Sequence, residues 1–347
     1  MRKNYGVSYK GSKSRICDRL VEAIPYEGID NFYDLFCGGC AVTHKMLLED
    51  RYRHIHCNDL NGMAPQLFVN GVRGEYKDEK RWISREEFFK LKDKDPYVSC
   101  CWSFGNNQRD YIYARKIEPY KKACHYAIVL DDFSLFDELC PEVAGVCREA
   151  LEGVTDIHER RMLFGPAVVK WLKANGTKEM LDNNPLYSSC HTKKDTKTRP
   201  EGTIRDLQSL ESLQSSERLE RVNNIQQADT GKLTWSIGSY DEVEIKPNSA
   251  IYCDIPYHST NAYNSKQNKN DFDYEKFYSW CEAQAELVLI SEYWMPEGRF
   301  IPVWETKHIQ TMCASTTSAV VEKLFVPKGQ LELYRSLMKG KNQTLFD

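Results

Sequence analysis

Hydrophobic and polar positions near the N-terminus follow the order strand, turn, helix, strand. Residues 31–36 form a short apolar and aromatic run that predicts a buried strand, and residues 37–40 predict a tight turn. Residues 41–50 carry apolar side chains at helical spacing, and residues 53–58 predict a second strand. This order is that of one βαβ unit, which is typical of a doubly wound α/β sheet.

The segments before and after this unit extend the same α/β pattern. From Ser12 onward, Ile16, Leu20 and Ile24 recur at helical spacing, and Pro25 closes the predicted helix. Towards the C-terminal end the alternation resumes. The predicted elements there are a strand at 250–254, a helix at 274–285, a strand at 287–291 and a late strand at 320–326.

The stretch from residue 62 to residue 231 breaks this alternation. It is polar and rich in charged and aromatic residues, which predicts a largely helical insertion. Within it, residues 207–222 predict a surface helix. We therefore expect one domain built from residues 1–61 and 232–347, interrupted by a second domain at residues 62–231.

Composition narrows the class of protein. Hydrophobic residues make up 41% of the 347 residues and charged residues 28%, as in a folded soluble chain. No apolar run approaches the ~20 residues that span a bilayer, and residues 1–6 lead into no hydrophobic region, so we expect no signal peptide. The 13 cysteines are scattered singly, which favours reduced thiols over a disulfide framework. We expect a cytoplasmic protein without membrane contact, either a monomer or a weak dimer.

Charge leaves a nucleic-acid partner open. The net charge is −3, but binding to phosphates depends on clustered Lys and Arg rather than on the sum. Basic groups occur at residues 90–94, 109–122 and 193–205. Each of these groups also fits ordinary solvated surface.

A first chemical motif is the sequence Phe36-Cys37-Gly38-Gly39 between a predicted strand and a predicted helix. Glycines at this place let the backbone approach a cofactor closely, and Asp59 follows about 20 residues later at the end of the next strand. An acid at that position can accept hydrogen bonds from ribose hydroxyls. Taken alone, the motif fits a structural turn with a capping Asp equally well.

A second motif, Asp254-Ile255-Pro256-Tyr257, directly follows an apolar strand. An exocyclic amine such as adenine N6 is a poor nucleophile because its lone pair is delocalised into the ring. The Asp254 carboxylate and the Ile255 carbonyl can each accept one N–H of such an amine, and Tyr257 can stack on a flipped-out base. Alone, the tetrapeptide also fits a strand end closed by a proline turn.

Together with further motifs in serial order, the sequence resembles the Dam-like, alpha-group amino-methyltransferases of bacteria and phages. The segment from Tyr9 to Lys13 (YKGSK) resembles the N-terminal motif of that family. Residues 34–42 (DLFCGGCAV) resemble its cofactor loop, and residues 57–61 (CNDLN) resemble its ribose-binding segment. Residues 238–241 (GSYD) resemble the segment that contacts the cofactor adenine, and residues 254–257 resemble the catalytic DPPY.

The resemblance implies a Rossmann-like, S-adenosylmethionine-dependent methyltransferase that acts on the N6 amine of adenine in double-stranded DNA. Residues 1–61 and 232–347 would form the catalytic domain, and residues 62–231 a mainly helical DNA-recognition insertion. No metal is needed for the transfer. The implied catalytic residues are Asp254, Ile255, Pro256 and Tyr257, and the implied cofactor-binding residues are Tyr9, Lys13, Asp34, Phe36, Gly38, Asp59, Ser239, Tyr240 and Asp254.

The chain departs from the family pattern at three positions. Ile255 replaces a proline, but the chemistry there needs a backbone carbonyl, and Pro256 still biases Ile255 towards extended geometry. Cys40 stands where the family has a second glycine, so the loop is expected to approach the cofactor less closely. Ser239 replaces an Asp, which leaves Asp241 as a candidate substitute.

Candidate DNA contacts lie in the insertion. Ser103, Asn106, Asn107, Arg109 and Tyr111 combine amide, guanidinium and aromatic groups that suit contacts to bases and phosphates. A polar loop without DNA contacts fits the same residues. A similar stretch occurs in phage-type members of the family, as does the segment Ser291-Glu292-Tyr293 after the catalytic motif.

Other chemistries fit less well. Ser12 intrudes between Gly11 and Lys13, so the spacing is wrong for a phosphate-binding P-loop. The pair Cys37-x-x-Cys40 has no second C-x-x-C at zinc-ligand spacing. Two alternatives stay open: methylation of another planar amine, cytosine N4 in DNA or a base in RNA, and a DNA-binding relic without catalysis.

Overall fold

The computed structural model describes residues 4–189, 214–257, 272–309 and 319–339. The chain divides into two compact units, the first formed by Met1–Gly74 with Ile225–Asp347 and the second by Glu75–Asn224. The second unit is shorter at both ends than the predicted insertion at 62–231. One reason is the helix Met63–Val72, which packs against a strand of the first unit.

The first unit holds seven strands and five α-helices among the described residues. The strands are β1 (Asn31–Asp34), β2 (His54–Asp59), β3 (Leu233–Ile237), β4 (Ser249–Cys253), β5 (Leu287–Glu292), β6 (Phe300–Ile309) and β7 (Ala319–Pro327). The helices are α1 (Cys17–Leu20), α2 (Ala41–Leu48), α3 (Met63–Val72), α13 (Tyr274–Ala283) and α14 (Leu331–Met338). Short 3₁₀ turns lie at Lys13–Arg15, Val21–Ala23, Tyr240–Glu242 and Lys328–Gln330.

The seven strands form one sheet in the order β3-β2-β1-β4-β5-β7-β6. The first five run parallel, and β7 pairs antiparallel with both β5 and β6. Because β1 pairs with β4, the strand order reverses between these two strands, which is the switch point where Rossmann-like sheets bind ligands. The predicted α/β, Rossmann-like fold is confirmed.

The sequence pattern missed both edge strands. β3 is mostly exposed or half-buried along its length, so it carries no continuous apolar run. β6 includes Pro302 and has a register shift between Pro302 and Trp304, features that an edge strand tolerates because one side needs no ladder. The predicted helix from Ser12 to Pro25 is instead the short α1 flanked by two 3₁₀ turns.

The second unit is helical in the part that the structure describes. Its α-helices are α4 (Arg85–Leu91), α5 (Pro96–Cys101), α6 (Glu118–His125), α7 (Ser134–Leu139), α8 (Pro141–Leu151), α9 (Ile157–Asn175), α10 (Lys178–Asn183), α11 (Pro185–Ser189) and α12 (Gln214–Asn223). A π-helical turn spans Tyr126–Leu130 and a 3₁₀ turn spans Phe104–Asn106. Within the described residues, no helix combines the length and apolar character that crossing a membrane requires.

Helix α12 overlaps the predicted surface helix at 207–222, of which residues 207–213 lie outside the described residues. The described part has a buried face, with Leu219 fully buried. On the same face, the Arg218 guanidinium donates to the carbonyls of Cys101 at 3.1 Å and Ser103 at 2.6 Å. This helix therefore binds the backbone of residues 101–103 within its own unit. The basic group at 193–205 lies outside the described residues.

Glu292 is a buried carboxyl at the end of β5. It is 1% exposed, and neither carboxyl oxygen has a hydrogen-bond partner among the described residues. Burial raises the pKa of Glu292 to about 8, and the nearby Glu322 and Asp254 carboxylates act in the same direction. The folded state therefore keeps Glu292 protonated at neutral pH.

We expect this group to make the free energy of unfolding fall as pH rises. Between the ordinary Glu value of 4.5 and the folded value of about 8, the folded state holds a proton that the unfolded state lacks. The loss is at most about 1.4 kcal/mol per pH unit. The Glu292→Gln variant mimics the neutral carboxyl group. In calorimetry, the Tm of the variant minus the Tm of the wild type should therefore increase as the pH rises from about 5 to about 8. A Tm difference independent of pH would contradict this assignment.

Candidate active site

The candidate residues follow adjacent strands at one edge of the sheet. Asp34 at the end of β1 lies in register with Tyr252 of β4, two residues before Asp254. On its other side, Asp34 lies in register with Cys57 of β2, two residues before Asp59. The carboxyl ends of parallel strands meet at one edge, so the fold brings the two sequence motifs together.

The turn at residues 37–40, called here the glycine turn, is built by close backbone packing. Gly38 has φ +47 and Cys40 has φ +57, both in the left-handed region. A Cβ atom at Gly38 would lie 2.8 Å from the Tyr9 ring, and one at Gly39 would lie 2.6 Å from Tyr9 Cβ. Val7 N–H also donates to the Gly39 carbonyl at 2.9 Å. The glycines therefore allow the N-terminal segment to lie directly on the turn.

Asp59 binds one backbone group of this turn and one of the segment that follows β2. Its Oδ2 accepts the N–H of Gly38 at 2.8 Å, and its Oδ1 accepts the N–H of Asn61 at 2.8 Å. Burial raises the pKa of Asp59, and the two backbone hydrogen bonds act against that rise. Each carboxylate oxygen has a second lone pair, so the group can also accept two hydroxyls of a diol.

Two large apolar side chains beside Asp59 are exposed, which the sequence analysis did not single out. Leu60 is 79% exposed and Ile237, at the end of β3, is 59% exposed. Ile237 also packs closely on Gly62, where a Cβ atom would meet its side chain at 2.2 Å. Exposed apolar surface at the ends of parallel strands is typical of a ligand site.

Asp34 lies beneath the surface rather than in it. Its side chain is 1% exposed, and Oδ2 accepts the Thr43 hydroxyl at 2.7 Å. Burial raises the pKa of Asp34 well above its usual range. In this structure the carboxyl ties β1 to the first turn of α2, so any part in ligand binding acts through that helix.

Phe36 and Tyr240 form an aromatic platform. Their rings stack at a centroid distance of 5.4 Å and an interplanar angle of 28°. Ser239, predicted as a cofactor contact, donates its hydroxyl to Asp241, and Asp241 also pairs with Lys276 at 2.6 Å. Asp241, the candidate substitute for the family Asp, is therefore engaged by Ser239 and Lys276 in this structure.

The centre of the site is a charged network around Lys13. The Lys13 ammonium lies 2.6 Å from Asp254 Oδ1 and 3.8 Å from Glu322 Oε1. It also lies 4.7 Å from the centroid of the Tyr257 ring. The Tyr257 hydroxyl donates to Glu322, and the Tyr257 ring meets the Tyr293 ring edge-on at 4.5 Å. The segments that contain Lys13, Asp254–Tyr257, Tyr293 and Glu322 thus meet around the Lys13 ammonium.

Burial and charge set the protonation of this network. Burial raises the pKa of Asp254 to about 6, although the Lys13 ammonium pulls it down. Burial works to lower the pKa of Lys13, but the carboxylates of Asp254 and Glu322 outweigh it, and the pKa is raised. At neutral pH the site therefore holds an ionised Lys13–Asp254 pair.

The backbone after Asp254 is held by core packing. The Ile255 side chain is 2% exposed and belongs to the core cluster of Ile290 and Phe277. The Pro256 carbonyl accepts the Tyr274 hydroxyl at 2.8 Å. An apolar side chain at position 255 thus serves packing, while the backbone carries the predicted chemistry.

The sequence analysis missed Glu322, although its pattern carries a signal. Glu322 is 2% exposed in β7, whose residues Ala319–Pro327 are apolar apart from Glu322 and Lys323. A carboxyl inside an apolar strand is rarely buried unless it is paired. For Lys13, predicted to lie near the cofactor, the structure shows an ammonium bound to Asp254, which is another predicted site residue.

The predicted DNA-contact residues, which lie between Ser103 and Tyr111, belong to the second unit, and only some of them are accessible at the surface. Ser103 is fully buried, and Tyr111 is 5% exposed with its hydroxyl donating to the Ile83 carbonyl at 2.7 Å. Neither side chain reaches the surface, because the two residues pair as a β-bridge that closes the loop.

The tip between these two residues is accessible. Asn106 and Asn107 are half-exposed, and Arg109 is exposed in an ion pair with Asp110 at 3.0 Å. Phe104, which the sequence analysis did not single out, is 61% exposed. We call residues 104–109 the exposed loop. It presents an aromatic ring, amides and a guanidinium together.

A comparison with known protein families finds a match in part of the chain, and that part includes several residues of the site. Residues 9–140 match the model of the family "D12 class N6 adenine-specific DNA methyltransferase". No curated protein sequence matches the chain. A solved rRNA methyltransferase, AviRa from Streptomyces viridochromogenes, is similar over 94% of this chain and 86% of its own, with 9% identity and a TM-score of 0.30. That similarity is too low to support an argument.

The matched residues include Tyr9, Lys13, the glycine turn and Asp59, which the structure assembles at one edge of the sheet. The resemblance to Dam-like adenine methyltransferases predicted from the sequence is thereby confirmed. Over residues 9–140 the chain is similar to the D12 class N6 adenine-specific DNA methyltransferases, and it is an enzyme.

Proposed function

We propose that this enzyme transfers a methyl group from S-adenosylmethionine to the N6 amine of adenine in double-stranded DNA. The observation that carries the proposal is the Lys13–Asp254 ion pair at the strand ends that also hold the glycine turn. It places a buried, ionised acceptor at the start of the Asp254–Tyr257 motif, beside the candidate cofactor residues. The family match supports adenine as the methylated base.

The residues at the glycine turn fit S-adenosylmethionine by their chemistry. The free lone pairs of Asp59 suit the ribose diol, and the exposed side chains of Leu60 and Ile237 suit the flat adenine ring. Tyr9, Phe36, Ser239 and Tyr240 would complete the walls, and Asp34 would hold the turn through α2. The bound group would supply the electrophilic methyl.

Asp254 and Ile255 would act on the target amine. The Asp254 carboxylate and the Ile255 carbonyl each accept one N–H, which localises the lone pair of N6 and aims it at the methyl group. As the N–C bond forms and the methyl–sulfur bond of the donor breaks, with its electron pair staying on sulfur, positive charge develops on N6, and the negative Asp254 would stabilise it. N6 then loses one proton, for which Asp254 is the nearest base.

Tyr257 would stack on the flipped-out adenine, and Glu322 would orient it. The hydroxyl of Tyr257 donates to Glu322, which fixes the rotation of the ring. Lys13 pairs with both carboxylates and so keeps Asp254 charged in a buried place. Lys13 and Glu322 are positioning residues in this scheme.

The exposed loop would contact DNA. Arg109 and the amides of Asn106 and Asn107 can bind phosphates or base edges, and Phe104 can stack or insert. The second unit would thereby take the role of the predicted recognition insertion.

We expect Asp254→Asn to abolish methyl transfer while S-adenosylmethionine binding stays near wild type, because the variant keeps the shape but loses the charge. The measurement is transfer of labelled methyl groups to duplexes, beside calorimetric titration with S-adenosylmethionine. Duplexes that contain cytosine but no adenine separate N6 from N4 transfer. Near-wild-type turnover of Asp254→Asn would refute the mechanism, and absence of S-adenosylmethionine binding in wild type would favour a relic.

The pH profile of the wild-type enzyme should follow the same carboxyl. With the pKa of Asp254 raised to about 6, the acceptor is protonated below that pH, and single-turnover rates should fall about tenfold per pH unit there. Rates that stay flat from about pH 5 to about pH 8 would show that this carboxyl does not act in the chemical step.

Tyr257→Phe keeps the aromatic face but leaves Glu322 without its hydroxyl partner. We expect a loss in kcat of about tenfold, since a buried charge-assisted hydrogen bond is worth ~1.5–3 kcal/mol. If the loss arises through Glu322, then adding Glu322→Gln to Tyr257→Phe should cost little more than either single change. Fully additive effects in this double-mutant cycle would contradict the coupling.

Arg109→Ala should weaken DNA binding and reduce the salt dependence of log Kd by about one unit of slope, if the guanidinium contacts a phosphate. Arg148→Ala is the matched control, because Arg148 is also exposed and also paired with an Asp of the second unit. The measurement is fluorescence anisotropy over a salt series. Equal behaviour of both variants would remove the exposed loop from the DNA interface.

A further inference from the structure

Three thiols lie together beneath the glycine turn. The Sγ atoms of Cys37, Cys40 and Cys57 are all within 4.8 Å of one another. The three residues are buried, with exposures of 7%, 0% and 0%. Methyl transfer as proposed above makes no use of these thiols.

The backbone holds the three thiols in place. Cys40 N–H donates to the Cys37 carbonyl at 2.6 Å, and Cys37 N–H donates to the Asn58 carbonyl at 3.0 Å. Cys57 lies in β2, in register with Asp34 of β1. Hydrogen bonds of the turn and of the sheet therefore hold the backbone of these cysteines. Rotation of the side chains can still adjust the distances between the sulfur atoms.

This spacing suits one metal ion. A metal–sulfur bond of about 2.3 Å places three sulfurs around a common ion about 4 Å apart. Among the described residues, no fourth His, Cys, Asp or Glu atom joins the group. Zinc sites in proteins are almost always four-coordinate, so three soft ligands in a dry place favour a softer ion such as Cu(I).

Burial raises the pKa of Cys37 and of Cys40 well above the usual range, so both are protonated thiols until a metal ion displaces their protons. Cys40 is the N-cap residue of α2, an eight-residue helix, so its sulfur lies at the positive end of the helix dipole. The three sulfurs share one buried site, and together they would place negative charge there. A cation bound between them would compensate part of that charge.

We propose that Cys37, Cys40 and Cys57 bind a thiophilic metal ion, Cu(I) in a three-coordinate site, and that this ion ties the glycine turn to β2. On binding, each S–H bond breaks, its proton passes to the solvent, and one sulfur–copper bond forms. No electron is transferred. Since Gly38 of the turn also donates its N–H to Asp59, the ion would stiffen the strand ends around it.

The test is a titration of the full-length reduced chain with Cu(I), buffered by a chromophoric chelator in the absence of air. We expect one ion per chain by elemental analysis, a thiolate–copper charge-transfer absorption, and a higher Tm. Cys37→Ser, Cys40→Ser and Cys57→Ser should each lose the ion and the Tm gain. Cys147→Ser, a buried cysteine of α8 in the second unit, is the matched control and should retain both.

Circular dichroism separates loss of the ion from loss of the fold, and Cys57→Ala provides a second variant where the serine is not tolerated. Three results would overturn the proposal: no copper retained by the folded wild type, equal loss in Cys147→Ser, or zinc bound in preference to copper. Formation of a disulfide among the three thiols in the presence of Cu(I) would also overturn it. Each outcome is independent of methyl transfer, which is measured in metal-free buffer.

Discussion

The ion pair between Lys13 and Asp254 joins two residues that are 241 positions apart. Both charges are largely buried, and a buried charge is stable only when a partner compensates it. Without Lys13, burial would favour the protonated form of Asp254, which is a weaker hydrogen-bond acceptor for an amine and carries no negative charge. The charge of Asp254, and with it the proposed reactivity of the site, depends on this contact.

The antiparallel strand β7 gives this pair its third member. A parallel strand would end at the edge of the sheet where β4 ends. Because β7 is antiparallel, it starts near that edge, and Glu322 is one of its strand residues. From there Glu322 reaches the Tyr257 hydroxyl and lies near Lys13. One cation thus balances two carboxylates, while the third nearby acid, Glu292, stays neutral because its pKa is raised to about 8.

The two sides of the glycine turn have different constraints. Above it, Tyr9 and Val7 press so closely that side chains at Gly38 and Gly39 would collide with them. Below it, three thiols fill a dry space against β2. Cys40 joins both sides, because it takes a left-handed backbone conformation while its sulfur points into the buried cluster. Its departure from the family glycine is therefore part of the packing.

The sequence by itself determined the parallel core of the sheet and the residues of the two motifs. Buried parallel strands such as β4 are continuous apolar runs, and glycines and acids at their ends mark the ligand edge. It did not determine the edge strands β3 and β6, whose half-exposed residues carry no such run. Only the tertiary structure decided that Lys13 binds Asp254, that Glu322 joins them, that Ser103 and Tyr111 are buried, and that Cys57 completes a thiol cluster. These are contacts between distant segments, and local periodicity carries no information about which distant side chains meet.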